Sequence, residues 1–356
     1  MSSASFLEEA AAPLLEWFHH SARSLPWREG YDPYKILVSE FMLQQTQVET
    51  VLPYFARWME RYPDLASLAR ADEEDVEKLW EGLGYYSRCR RLLAAARAMV
   101  QEGLDNPPPS AEALLRYPGI GLYTAGAMAS IAYNLPVPAV DGNVERVISR
   151  LLNLTERAGS PTLKHLAAER VLDMMPKEEA RDFNQALMEL GALVCLPKLP
   201  ACPECPWGSL CLSRALGVQT QRPLARPRPA VEKVPAWGVL LFSDGACLLR
   251  RRPKEGLWAG LWELPWFPRR TGDAPAEIKA WVSEVGIECL SYRELGVVRF
   301  SFTSYRVTAW VVACETALSP AFREKERLGQ WSLHAPNSLE RLTLPAPSRK
   351  FLTLLN

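Results

Sequence analysis

The chain has 356 residues, enough for about two domains, and its 48% hydrophobic content is ample for packed cores. Its 41 basic and 41 acidic residues cancel, which excludes a uniformly basic nucleic-acid binder but leaves room for local patches. No apolar run approaches the roughly 18 residues that span a bilayer, and the acidic stretch Met1–Ala12 lacks the basic start of a signal peptide, so a cytoplasmic protein with no membrane partner is expected.

The zero balance hides an asymmetry: residues 1–212 carry a net charge of −8 and residues 213–356 one of +8. From about residue 5 to 212 the apolar spacing is helical, over Lys35–Met59, Tyr86–Glu102, Tyr123–Tyr133, Val144–Leu152 and Asp182–Cys195, with Pro- and Asp-punctuated turns between. Residues 213–234 follow, including Gln219–Pro229 with its alternating Pro and Arg. Proline restricts the backbone and arginines repel, so an extended basic linker is predicted. After Pro235 the period shortens. Ala236–Phe242, Ala246–Arg252 and Tyr305–Cys314 read as strands, Ser243-Asp244-Gly245 as a hairpin turn, and Pro275–Val285 and Pro347–Leu355 as helices. The expected fold is multidomain: an all-α domain over 1–212, the linker, and an α+β domain over 235–356.

Four of the eight cysteines stand close together, as Cys195-x6-Cys202-x2-Cys205-x5-Cys211. In a chain without a secretion signal, such crowding favours metal ligation over disulfides. Four soft thiolates suit a [4Fe–4S] cluster or a tetrahedral zinc ion, and only one short Cys-x-x-Cys knuckle is present where zinc ribbons use two. In Leu115–Gly126, Gly119 and Gly121 can take positive φ, giving a tight turn whose amides open the next helix and suit a phosphate oxygen. Taken alone, a Pro-Gly-x-Gly turn is commonly just a turn. Asp141, in Val140-Asp141-Gly142-Asn143, lies eighteen residues beyond Tyr123 and is placed to cap the helix that follows. Glu40 sits among Val38 and Phe41–Leu43, where a carboxylate needs a reason.

These motifs together resemble one family. Pro118-Gly119-Ile120-Gly121…Val140-Asp141 looks like the helix-hairpin-helix-plus-aspartate signature of the endonuclease III superfamily, and the cysteine spacing resembles that superfamily's [4Fe–4S] loop. Leu25-Pro26-Trp27-Arg28, Asp32–Val48 and Gly82-Leu83-Gly84-Tyr85-Tyr86-Ser87-Arg88 resemble the MutY-type adenine DNA glycosylases, over essentially the whole chain. The resemblance implies a base-excision-repair glycosylase that flips adenine out of a mispair with 8-oxoguanine or guanine in double-stranded DNA. It implies Glu40 as general acid, Asp141 as ionised stabiliser or nucleophile at the sugar, and Tyr123 and Asn143 as orienting groups, in the two-carboxylate manner of glycoside hydrolysis. Burial should raise Glu40, while the cap and hydrogen bonds should keep Asp141 low. Arg28 and Gln185 would read adenine's edge, and Leu43, Gln45, Thr46 and Tyr85 would surround the opposite base. Gly119 and Gly121 would contact the DNA backbone, and Cys195, Cys202, Cys205 and Cys211 would hold the cluster. Tyr123 stands where lyase members carry a Schiff-base lysine; a phenol forms no imine, so a monofunctional enzyme is implied. A monomer acting at a bacterial nucleoid is expected.

Residues 235–356 resemble the MutT-like, Nudix-fold domain of that family. The best-aligned stretch, Lys279–Ile287, keeps one of three magnesium-binding glutamates, in Glu284, so binding without hydrolysis is expected. The family's Phe-Ser-His lesion-reading loop aligns with Phe302-Thr303-Ser304, where the histidine is missing. Two other readings stay open: an endonuclease III-like pyrimidine glycosylase and lyase, and a catalytically inert iron–sulfur DNA-binding protein.

Overall fold

A computed structural model describes residues 3–227, 230–270 and 273–355. Two compact units form, one from Met1–Ala71 with Arg88–Pro227, the other from Asp72–Ser87 with Arg228–Asn356.

The first unit is helical. Its core gathers Leu14 and Phe18 of helix Ser3–Ser21, Val144, Val147, Ile148 and Leu151 of helix Gly142–Leu151, Val171 of helix Pro161–Met174, and Phe183 and Leu187 of helix Ala180–Leu193. Trp207 closes this core, its indole donating to the Ala10 carbonyl at 2.7 Å. Helix starts follow local chemistry. Asp32 accepts from Lys35 N with Pro33 at the first turn, and Ser160 accepts from Leu163 N ahead of Pro161.

The long segment expected over Lys35–Met59 is broken. Helix Pro33–Leu43 ends and helix Val48–Arg61 begins beyond a turn in which Gln45 takes φ 60°. The Arg88 guanidinium satisfies the freed carbonyls, donating to Phe41 O at 3.1 Å, to Met42 O at 2.8 Å and to Gln44 O. No proline or glycine marks the break, because its partner is 44 residues away. The first two thirds of the stretch read as a linker are also different. Residues 213–227 are fastened to the helical unit: Arg222 donates to Asn153 Oδ1 at 2.8 Å, Leu224 N to Glu156 O at 3.1 Å, and Arg226 to Gly159 O at 2.9 Å. Arginine here finds acceptors on neighbouring loops. Arg228 and Pro229 lie outside the described residues.

The second unit is built on a mixed sheet of β1 (Glu232–Ser243), β2 (Ala246–Arg251), β3 (Trp262–Glu263), β4 (Trp266–Pro268), β5 (Ile287–Phe302), β6 (Tyr305–Leu318) and β7 (Trp331–His334). The order is β3-β2-β1-β6-β5, with β4 on β1 and β7 on β2. The β1–β6 pair is parallel and the other pairs are antiparallel. Asp244 (φ 51°) and Gly245 (φ 75°) make the two-residue turn between β1 and β2. One face of the sheet packs Ala236, Leu240, Val307 and Ala309 against Leu339, Leu344 and Phe351. The other packs Trp237, Val239, Leu241, Val312 and Cys314 against Ile278 and Val282 of helix Ala274–Glu284. Segment Asp72–Ser87 joins this unit through Glu81, which accepts from Arg349 Nε at 2.7 Å and Nη2 at 3.2 Å, and through Lys78, which donates to Glu340 O at 2.6 Å and Leu342 O at 3.1 Å.

β5 and β6 meet at a turn of Thr303 and Ser304, with Thr303 at φ 45°. A β-branched side chain is strained there. Thr303→Gly should therefore stabilise the second unit by about 1 kcal/mol. Denaturant unfolding of the full chain measures this, and an unchanged or lower midpoint would show that the turn holds no strain.

Candidate active site

Four elements of the helical unit surround a cavity of about 850 Å³. Helix Pro33–Leu43 brings Glu40 and Leu43, the turn after it Gln45 and Thr46, helix Leu122–Ala127 brings Tyr123, and the start of helix Gly142–Leu151 brings Asp141 and Asn143. Arg28 and Gln185 line the same space. Nine of the residues expected at the site thus share one cavity. Tyr85, Phe302, Thr303 and Ser304 belong to the other unit.

The two carboxylates are treated differently. Glu40 is 5% exposed and its Oε2 has no hydrogen-bond partner. Burial pushes its carboxyl up to about 7, hydrogen bonding to Tyr123 draws it back, and the Asp141 charge adds to the rise. Asp141 caps its helix: Oδ1 accepts from Val144 N at 2.8 Å and Asn143 N at 2.9 Å, and Oδ2 from Asn143 Nδ2 at 3.0 Å. The expectation that these bonds hold Asp141 low is not met. Burial outweighs them and moves it upward. With three donors on Asp141 against the Tyr123 hydroxyl on Glu40, the first proton added to the pair goes to Glu40. Burial and the two nearby carboxylates raise the Tyr123 phenol well above its ordinary value, so it acts as a donor. Its hydroxyl lies 3.9 Å from Met188 Sδ.

Other residues fix this geometry without having announced themselves. Asn184 accepts from Ala139 N at 2.9 Å and donates to Val137 O at 3.0 Å, pinning the segment that leads to Asp141. A Cβ on Gly191 would stand 2.6 Å from Asn143 Cβ, and one on Gly126 would stand 2.3 Å from Pro138 O. Both are close approaches that a single sequence does not reveal. Arg28 is held from behind: Glu189 accepts from Arg28 Nη2 at 3.1 Å and from Arg23 Nε at 2.8 Å. Burial alone would raise Glu189, yet the Arg23 and Arg28 guanidiniums hold it below the usual range. Gln185 Nε2 reaches Tyr31 Oη at 3.5 Å, and the Arg181 guanidinium stacks 4.1 Å over the Tyr31 ring.

In the hairpin, Gly119 takes φ 81°, and a Cβ there would meet Arg91 Cβ at 2.6 Å. Gly121 does not use positive φ. It is extended (φ −100°), with open space where a Cβ would be, at the start of helix Leu122–Ala127. Gln45, Tyr85 (57% exposed) and Thr303 all take left-handed backbone without being glycine, the kind of outlier found where a turn tip has a task. Phe302 is half-buried among Trp258, Trp266 and Tyr305, with ring centroids 5.7, 6.0 and 5.2 Å away, packing that braces the turn.

Cys195, Cys202, Cys205 and Cys211 line one small cavity together with Arg150 and Arg214, and all four are free thiols. Arg150 Nη1 is 3.3 Å from Cys195 Sγ, the Trp207 amide faces the Cys205 sulfur, and the Arg214 and Ser213 amides face that of Cys211. Among the described residues no three His, Cys, Asp or Glu side chains converge tightly enough to hold a single ion. Four sulfurs that share a cavity, three of them faced by N–H donors, are a donor set that fits a bound metal group. Arg146, on the same helix as Arg150, donates to Cys195 O at 2.9 Å and to Asn143 Oδ1 at 2.9 Å.

Comparison with known proteins identifies the two kinds of domain in this chain. Residues 38–171 match the HhH-GPD superfamily of base excision DNA repair proteins, and residues 236–354 match the NUDIX domain. The adenine DNA glycosylase of Mus musculus is 35% identical over 365 aligned residues, covering 86% of this chain and 71% of that protein. The adenine DNA glycosylase of Buchnera aphidicola subsp. Baizongia pistaciae (strain Bp) is 30% identical over 345, covering 96% of this chain and 95% of its own. A solved thermostable thymine-DNA glycosylase superposes with a TM-score of 0.54 at 26% identity, covering 61% of this chain and 100% of that one. The fold is thus that of a helix-hairpin-helix base-excision-repair protein carrying a NUDIX domain. The chain belongs to the adenine DNA glycosylase family. No helix among the described residues is long and apolar enough to cross a membrane.

Burial of Glu40 gives a test on stability. Its carboxyl ionises near 7 in the folded chain against an ordinary 4.5, so folding favours the protonated form. That contribution is whole below the ordinary value and is lost as pH rises through 7. Glu40→Gln is neutral at every pH. Its stability relative to wild type should climb across that interval by a few kcal/mol, roughly, and level off above it. Thermal unfolding of both proteins at a series of pH values checks this, and a difference independent of pH would show that Glu40 titrates as an ordinary carboxylate.

Proposed function

We propose that the protein excises adenine paired with 8-oxoguanine or guanine from double-stranded DNA, as a monofunctional glycosylase. The observation that carries this reading is a buried Glu40, its Oε2 without a partner, sharing one cavity with a donor-supplied Asp141. Excision requires the adenine to leave the base stack, and the cavity is large enough for a flipped base. Glu40 delivers a proton to a ring nitrogen, making adenine a better leaving group. Asp141, ionised and fixed by its cap, faces the positive charge that develops on the sugar, as stabiliser or transient nucleophile. Tyr123 and Asn143 orient the two carboxylates. Arg28, steadied by Glu189, and Gln185 read the edge of the base. Leu43, Gln45 and Thr46 line the same cavity and contact the opposite base. Phe302, Thr303 and Ser304 read the oxidised guanine, and the NUDIX domain binds without hydrolysing.

On a duplex holding adenine opposite 8-oxoguanine, wild type should leave an intact abasic strand that breaks only on added alkali. Glu40→Gln should lower single-turnover excision by on the order of a hundred-fold or more while leaving duplex binding near wild type, since it removes a proton donor at little change in shape. Comparable rates in the variant would remove Glu40 as the acid. Strong borohydride trapping, or cleavage without alkali, would point to a lyase.

We propose also that Cys195, Cys202, Cys205 and Cys211 hold a [4Fe–4S] cluster that ties down the end of the helical unit and supplies structural cross-linking, not a chemical step. The protein as purified should be brown, with about four irons per chain. Colourless protein with one zinc would overturn this.

A further inference from the structure

Among the described residues, part of the second unit's sheet is left uncovered. Helix Ala274–Glu284 packs on the face presented by Trp237, Val239 and Val312. Toward the Thr303–Ser304 turn, β1, β5 and β6 run on beyond that cover. Register sets Lys233 beside Arg306 and Arg306 beside Ser301 in one row, then Pro235, Thr308 and Arg299 in the next. Side chains alternate between the faces of a strand, so these residues continue the face of Trp237 and Trp310. They line an open cavity of about 460 Å³ with Trp310 at its inner end, and no carboxylate is among its lining residues. The Arg269 guanidinium lies over the Trp310 ring at 4.5 Å.

Lys233, Arg299 and Arg306 are all exposed. Like charges on directly paired residues weaken a sheet, and Lys233 with Arg306 is such a pair. A bound anion offsets that repulsion. The hydroxyls of Ser301 and Thr308 stand in the same rows, supplying neutral donors between the cations. Cations spread over successive rows suit a polyanion more than a single small anion. Arginine and lysine beside hydroxyls are the groups that commonly hold phosphodiester oxygens.

We propose that this uncovered basic face holds the sugar-phosphate backbone of DNA, as a phosphate-contact surface separate from the excision cavity. The assignment rests on DNA being the substrate. The surface adjoins Thr303 and Ser304 on the same hairpin, so it would grip the duplex beside the turn that reads the opposite base.

The test is a full-length triple variant, Lys233→Ala with Arg299→Ala and Arg306→Ala, assayed for binding to duplexes bearing adenine opposite 8-oxoguanine and adenine opposite guanine over a range of salt. Each phosphate contact contributes about 0.9 to the slope of log affinity against log salt. The slope should become shallower by about 2 to 3, with about ten-fold or greater weakening at low salt on both duplexes alike. A single reversal, Arg306→Glu, should weaken binding more than Arg306→Ala. An unchanged slope would overturn the proposal, as it would if the face served an acidic protein, and so would a loss confined to the 8-oxoguanine duplex. Thermal unfolding checks that the variants fold; relief of the Lys233–Arg306 repulsion predicts no loss of stability. Adenine excision by wild type on the same duplexes tests the underlying function independently.

Discussion

Two carboxylates face one cavity, and hydrogen-bond donors are distributed unevenly between them. Asp141 takes two backbone amides and the Asn143 amide group, because it is the residue at which a helix begins. Glu40 sits in the middle of a helix, where backbone amides are already engaged, so it has no such supply and burial dominates. Protonation states that would otherwise need separate tuning follow from position in secondary structure. The helical unit is arranged around that difference: Asn184 and Gly126 hold the approach to Asp141, Gly191 leaves room for Asn143, and Arg88 secures the turn after Glu40.

Helix Gly142–Leu151 joins the two chemically distinct sites of this unit. Asp141 stands at its start, and Arg146 and Arg150 on its flank hold the Cys195 carbonyl and the loop that follows. Arg150 also fastens the later strap, donating to Arg222 O at 3.1 Å. Of the +8 charge of residues 213–356, Arg222 and Arg226 bond to Asn153 and Gly159 of the helical unit, while Lys233, Arg299 and Arg306 lie exposed on the sheet.

Much of this was legible in the sequence, for local reasons. Period, caps and glycine turns are properties of neighbouring residues, so helix Gly142–Leu151, the Asp244–Gly245 turn and the first strands of the second unit were expected close to where they lie. Glu40 stood out as a carboxylate inside an apolar run. What escaped depends on contacts distant in sequence. The break at Gln45 needs Arg88, the strap over 213–227 needs loops at 153–159, and the upward move of Asp141 needs the full depth of burial. β5 was missed because its burial is irregular, with two register shifts and exposed positions on both sides.

The second unit is not one continuous stretch of chain. Asp72–Ser87, with Val76 and Trp80 buried and Glu81 clasped by Arg349, packs with residues far downstream. Tyr85 therefore travels with the NUDIX domain although it is encoded inside the helical domain. A hybrid between relatives joined at a single point near residue 228 would set one parent's 72–87 against the other's 339–352. A faithful exchange of this module takes two crossovers, so the co-inheritance of Glu81 and Arg349 in recombinants is a constraint that a linear domain map would hide.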